Sequence, residues 1–167
     1  RTLDRRPLGE VRRLAMLDGR RSLLVDWSAG GEWWELSLDP SAPPIFDGLV
    51  HDHRMGEAIA TPGYRHPRRL PLAAPPAAPP RLLAAWGDLP WVLAVDDDGV
   101  PGVVHLDVRR QIARWPAHRL ADVAGAPVAA AARREALWFA QGDRLLEADA
   151  GRWRLGPPQP LPGPVQA

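Results

Sequence analysis

Apolar and polar residues alternate in short bursts along this chain, and glycine-bearing turns separate the bursts. Ser22 to Trp27 reads SLLVDW, a compact apolar run. Glu32 to Leu38 reads EWWELSL, with Trp34, Leu36 and Leu38 alternating against Glu35 and Ser37. A period of two belongs to a strand with one buried face. It predicts Trp34 inward and Trp33 on the opposite face, the better placed to anchor a partner. Between the runs, Ser28-Ala29-Gly30-Gly31 supplies the positive φ of a tight hairpin connection.

The same grammar returns downstream. LLAAWGDLPWVLAVDDDGVPGVVHLD lies over LAMLDGRRSLLVDWSAGGEWWELSLD, from Leu14 to Asp39, without a gap; only five of the 26 positions are identical. Register carries more weight than identity, because Leu36 and Leu38 fall on Val104 and Leu106 and so predict one shared inward face. Asp98-Gly99 reads as a type I′ turn between Trp91–Val95 and Val103–Val108, in preference to a calcium loop built on Asp96-Asp97-Asp98.

A third version starts at Val128 and places Leu137–Ala140 and Leu145–Ala148 around Gly142-Asp143, with Trp153 and Leu155 alternating after it. Ala129–Glu135 has high helix propensity, so a helix competes with the strand reading there. Thr61–Pro80 holds seven prolines and reads as a surface connection. Residues 1–155 are thus one β-rich domain with a Pro-rich connection at 61–80, and 156–167 form a Pro-rich extended tail. The expected class is mainly β, with antiparallel hairpin repeats forming part of a propeller or an open twisted sheet or sandwich.

Leu-Asp endings at Leu38-Asp39 and Leu106-Asp107, and Gly-x-Trp-x-Leu at Gly151–Leu155, resemble blades of a β-propeller. At ~40 residues per blade the chain holds at most about four. Among such proteins it is similar to the small propeller-type components of bacterial ternary systems that also contain a MoxR-type ATPase and a von Willebrand A protein. That resemblance implies a non-enzymatic adaptor or recognition subunit of an ATPase-driven complex in the cytoplasm, with a protein as partner.

Composition narrows the chemistry. The chain has no cysteine, which removes disulfides, thiolate metal sites and a thiol nucleophile together. All 21 basic residues are arginine and 20 acids nearly balance them, so long-range attraction to nucleic acid or anionic lipid is weak. No window approaches the roughly 20 apolar residues of a membrane span. No serine sits in a Gly-x-Ser-x-Gly elbow, and without lysine there is no phosphate-binding P-loop.

Three sets of side chains remain as candidates. Trp33, Trp115 and Trp153, with Arg109 and Arg110, are the expected protein-binding surface. His51 and His53, flanking Asp52, with Glu57 and His66 downstream, form the alternative, a divalent-metal site serving a hydrolase. An arginine-based nucleic-acid binder is the third option. No catalytic residue and no cofactor are expected under the leading reading.

Overall fold

The computed structural model describes residues 11–27, 32–42, 62–64, 66–72, 79–86, 89–120, 130–133, 136–141, 143–149 and 151–163. They form three antiparallel sheets. The first runs β1 (Val11–Leu17), β2 (Ser22–Trp27), β3 (Glu32–Ser37) and β4 (Arg68–Pro71), in that order across the sheet. The second repeats the arrangement with β5 (Arg81–Ala85), β6 (Trp91–Val95), β7 (Pro101–His105) and β8 (Arg110–Arg114). The third holds β9 (Ala130–Arg133), β10 (Ala136–Gln141), β11 (Arg144–Asp149) and β12 (Arg154–Leu155), with β13 (Gln159–Pro160) also on β11. β1 meets β5 and β5 meets β9. The first strand of each sheet therefore lies at a common inner edge, as in a propeller.

Neighbouring sheets bury the faces they turn to each other. Leu17, Leu24, Trp33 and Leu70 of the first sheet pack on Leu82, Val92, Ala94, Val104 and Leu106 of the second. The other side of the second sheet, including Leu83, Leu93, Val95 and Val103, packs on Leu137, Phe139, Leu146 and Ala148 of the third. Alternation makes this possible, since Val103 and Val104 point to opposite faces. The face that a sheet turns to the sheet before it is its leading face, and the other its trailing face.

The gapless overlay of the first two sheets is correct for β3 and β7 but one residue out for β2 and β6. In the first sheet Leu14 pairs with Val25, and Leu23 with Leu36. In the second, Leu82 pairs with Ala94, and Val92 with Val104. A register shift between Leu82 and Ala84 inserts the extra residue. Such a bulge moves every following side chain by one place without disturbing the fold, and an ungapped comparison cannot see it.

Local turn chemistry is as follows. Gly99 N donates to the Asp96 carbonyl and has φ +76°, and it is the only residue of the Asp96–Gly99 turn with positive φ. This is a type I turn closed by a left-handed glycine, which replaces the expected type I′ turn. The Asp96 carboxylate accepts from the Asp98 and Val100 amides and from Arg114, which occupies the acid in holding the hairpin. Three further connections, residues 18–21, 106–109 and 151–153, end on the non-glycine positive-φ residues Arg21, Arg109 and Trp153. Trp153 therefore belongs to a turn and not to the strand that follows it.

Proline misled in two places. The stretch expected to be a connection contains β4, an edge strand on which Arg68–Pro71 pairs with Glu32–Glu35. The stretch past Gly156 is tied along β11, with Leu161 N donating to the Asp143 carbonyl. Edge positions tolerate proline because one side of the strand needs no donors. The segment of high helix propensity contains β9, where pairing with β10 overrides the local preference. Among the described residues no helix is long and apolar enough to cross a membrane.

Candidate functional site

The first sheet is inside out relative to its pattern. Trp33, Glu35, Ser37, Ser22 and Asp26 lie buried on the trailing face. Trp34 and Leu36, on the leading face, are only half-buried. Trp33 is therefore no exposed anchor: it is fully enclosed, and its Nε1 donates to the Pro80 carbonyl.

Buried carboxylates need partners, and two arginines provide them. Arg68 Nη2 donates to Glu35 Oε2, and Arg68 Nη1 to Asp107 Oδ1 at 3.2 Å. Arg20 Nε donates to Glu35 Oε1 at 2.9 Å and its Nη2 to Asp107 Oδ1 at 2.8 Å. Ser22 Oγ completes the set by donating to Glu35 Oε1 at 2.7 Å. Glu35 and Arg68 stand on β3 and β4 and Arg20 in the β1–β2 connection, while Asp107 lies in the β7–β8 connection of the second sheet, so the network bridges the two. A second bridge runs from Asp26, which accepts from Arg12 and from the Leu82 amide at 2.9 Å.

An open cavity of about 470 Å³ borders the network, lined by Arg20, Arg21, Glu35, Ser37, Asp39 and Asp107 among others. Its electrostatics favour structure over chemistry. Burial alone would raise the pKa of Glu35, but the Arg20 hydrogen bond, the Arg68 charge and the Ser22 hydroxyl outweigh it and hold the carboxyl below its ordinary range. A carboxylate so stabilised is a poor base for Ser22. Asp107 is held low in the same way against its burial, chiefly by Arg20. His105, beside Asp107, is kept neutral by burial and by the two arginines, which outweigh the opposing pull of Asp107. Its Nδ1 accepts from the Asp107 amide at 3.2 Å, which leaves the proton on Nε2. Two charges of each sign thus cancel across the boundary, and the cluster acts as a clamp between sheets.

The leading face of the first sheet is different. Leu14 and Met16 are 55% and 50% exposed, and Leu38 45%. Their pairing-equivalent positions in the second sheet include Leu82 and Leu106, 2% and 0% exposed because the first sheet covers them. The equivalence of the two leucines is fixed by backbone: Leu38 N donates to the Arg21 carbonyl and Leu106 N to that of Pro90. Leu23, Leu36, Trp34 and Trp27 extend the exposed face, the two indoles edge-on at 5.1 Å. Covering the remaining half of a side chain such as Leu14 or Met16 would contribute roughly half of the about 1.5–3 kcal/mol that complete burial gives.

The other sequence candidates are dispersed. Trp115 and Trp153 do meet, with Trp115 Nε1 donating to the Trp153 carbonyl at 2.9 Å, and Trp153 stands edge-on to Trp91 at 4.6 Å. Both are half-buried between the second and third sheets and pack against that core. Arg109 is the half-buried, positive-φ residue that closes its turn, and Arg110 is exposed at the start of β8. His66 is exposed near the edge of the first sheet, while His51 and His53 lie outside the described residues. Among the described residues no group of three or more potential metal ligands comes together. The clamp was missed because Arg20 and Arg68 sit in arginine pairs that look solvated, and the one signal was a carboxylate between Trp34 and Leu36 at Glu35. The exposed Leu14 and Met16 were missed because nothing local distinguishes a covered face from an open one.

No family model and no curated protein matches this sequence. The fold nevertheless resembles solved β-propeller-type structures. Apo AztD from Citrobacter koseri superposes with a TM-score of 0.61 at 8% identity, over 98% of this chain and 38% of that one. A second structure of Citrobacter koseri AztD gives 0.56 at 10% identity, covering 96% and 38%. The dihydro-heme d1 dehydrogenase NirN in complex with DHE gives 0.53 at 17% identity, covering 92% of this chain and 28% of that one. The chain spans well under half the length of these neighbours, and with three antiparallel sheets on a common inner edge its fold is β-propeller-like.

Proposed function

We propose that this chain is a non-enzymatic protein-interaction module, an adaptor or recognition subunit that docks through the leading face of its first sheet. One observation carries the reading: Leu14 and Leu38 are half exposed where the second sheet buries its equivalent positions, Leu82 and Leu106. Scattered exposed apolar residues are ordinary, but a contiguous set on one sheet face marks a contact surface. The polar network on the opposite face supports the same reading, because its charges are spent on holding sheets together. The bacterial, cytoplasmic, ATPase-driven assembly implied by the resemblance to propeller-type components is the setting proposed for it.

A photo-crosslinking residue at position 16 tests the docking surface in cells. Adducts at 16 and none at the exposed control position Gln111 on β8 are expected. No adduct at 16, or equal yields at both positions, overturns the proposal.

A further inference from the structure

The docking surface just proposed can be given a partner chemistry, and the assignment rests on that reading. We infer that Asp39 is the docking acid of that surface, and that the leading face of the first sheet takes a separate protein presenting an arginine flanked by apolar side chains.

The second sheet shows what such a face receives. Its leading face meets the first sheet through two kinds of contact, apolar residues that include Leu82 and Leu106, and the carboxylate of Asp107 beside them. Arg20 reaches Asp107 with both terminal nitrogens, Nη2 to Oδ1 at 2.8 Å and Nη1 to Oδ2 at 3.2 Å, and Arg68 adds a third contact. The first sheet offers the same combination. Leu14 and Leu38 are half exposed where Leu82 and Leu106 are covered, and Asp39 follows Leu38 as Asp107 follows Leu106. Backbone bonding makes the two acids equivalent, since the Asp39 amide donates to Ser37 Oγ at 3.1 Å and the Asp107 amide to His105 Nδ1 at 3.2 Å.

Asp39 has an oxygen to spare. Its Oδ1 accepts from the Ser41 amide at 2.9 Å and from the Ser41 hydroxyl at 2.7 Å. Among the described residues, Oδ2 meets only the largely exposed Arg21, at 3.6 Å. Asp39 also borders the open cavity, so an incoming group can reach it. Glu32, a carboxylate on the leading face, is already held by Arg69 at 2.8 Å and by Trp34 Nε1 at 2.7 Å, which leaves Asp39 to receive a cation. A guanidinium suits the position, because it is more weakly hydrated than an ammonium and enters half-buried contacts more readily.

Photo-crosslinking from position 16 in cells, with the partner peptide mapped by mass spectrometry, tests this. The mapped peptide is expected to carry an arginine beside apolar residues. At matched expression, adduct yield should fall by roughly tenfold for Asp39→Arg, which sets two cations against each other, and by less for Asp39→Asn. Asp39→Asn keeps the acceptor of the Ser41 hydrogen bonds and stands in if Asp39→Arg fails to fold. An Arg→Asp change at the mapped partner position should restore adducts to the Asp39→Arg chain. A yield that ignores both Asp39 variants, a mapped contact without arginine, or adducts confined to copies of this chain overturns the inference and leaves the docking surface in place. No wild-type adduct at 16 removes the docking reading itself, and the inference with it.

Discussion

Arg68 and Glu35 face each other across neighbouring strands with neither side chain exposed, and Arg68 Nη2 donates to Glu35 Oε2. The pair holds the first sheet to the second through Asp107, which Arg68 also reaches. Removing one partner strands a buried charge, which costs about 3–5 kcal/mol. Glu35→Ala is therefore expected to lower stability by about that amount in denaturant titrations. The double variant Glu35→Leu with Arg68→Met should lose less than Glu35→Ala alone, because it leaves no unpaired charge between those positions.

Acid should loosen the clamp. Glu35 and Asp107 are held below their ordinary values of 4.5 and 3.8, so the folded state favours their ionised forms. Their contribution is fully present above those values and is lost as pH falls from them toward the lower folded values. Unfolding midpoints measured from about pH 7 to about pH 3 should drop in that window. The combined variant Glu35→Gln and Asp107→Asn should give a flatter profile; an identical slope would remove the clamp as its origin.

Equivalent leucines should respond unequally. Leu82→Ala removes a side chain packed between sheets and is expected to cost about 2–5 kcal/mol. Leu14→Ala, measured on dilute protein, should change stability by no more than about 0.5 kcal/mol, as exposed substitutions do. The difference shrinks if the leading face is covered, so a concentration-dependent cost at Leu14 reports on docking.

Arg21 closes its turn at φ +51°, a conformation that costs a non-glycine residue about 1–2 kcal/mol. Its side chain is 74% exposed and lies 3.6 Å from Asp39, a surface pair that stabilises little. Arg21→Gly should relieve the backbone and, after the added chain entropy of glycine, raise stability by about 0.5 kcal/mol. Thermal unfolding is the readout, and a loss of stability would assign Arg21 a larger role.

The hairpins were legible because their signals are local. Alternation at Trp33–Ser37 and a run such as Trp91–Val95 specify strands whatever lies above them. Sidedness was not legible. Both faces of β3 carry a tryptophan, so period two gives two readings, and the choice depends on Arg68, which meets Glu35 from 33 residues away. Proline obscured β4 for a related reason: a strand at an edge needs only half its donors, and position across the sheet is not a local property.

By itself, then, the chain determined that it folds as repeated antiparallel hairpins, through residue periodicity and local turn signals such as Gly99 that act within a few positions. Tertiary structure alone decided that Glu35 is buried and Leu36 is not, that a bulge at Leu82 shifts the second copy, and that Leu14 meets water while Leu82 does not. Stacking makes each of those choices, since a sheet has two faces and only the neighbour that covers one determines which side chains are core.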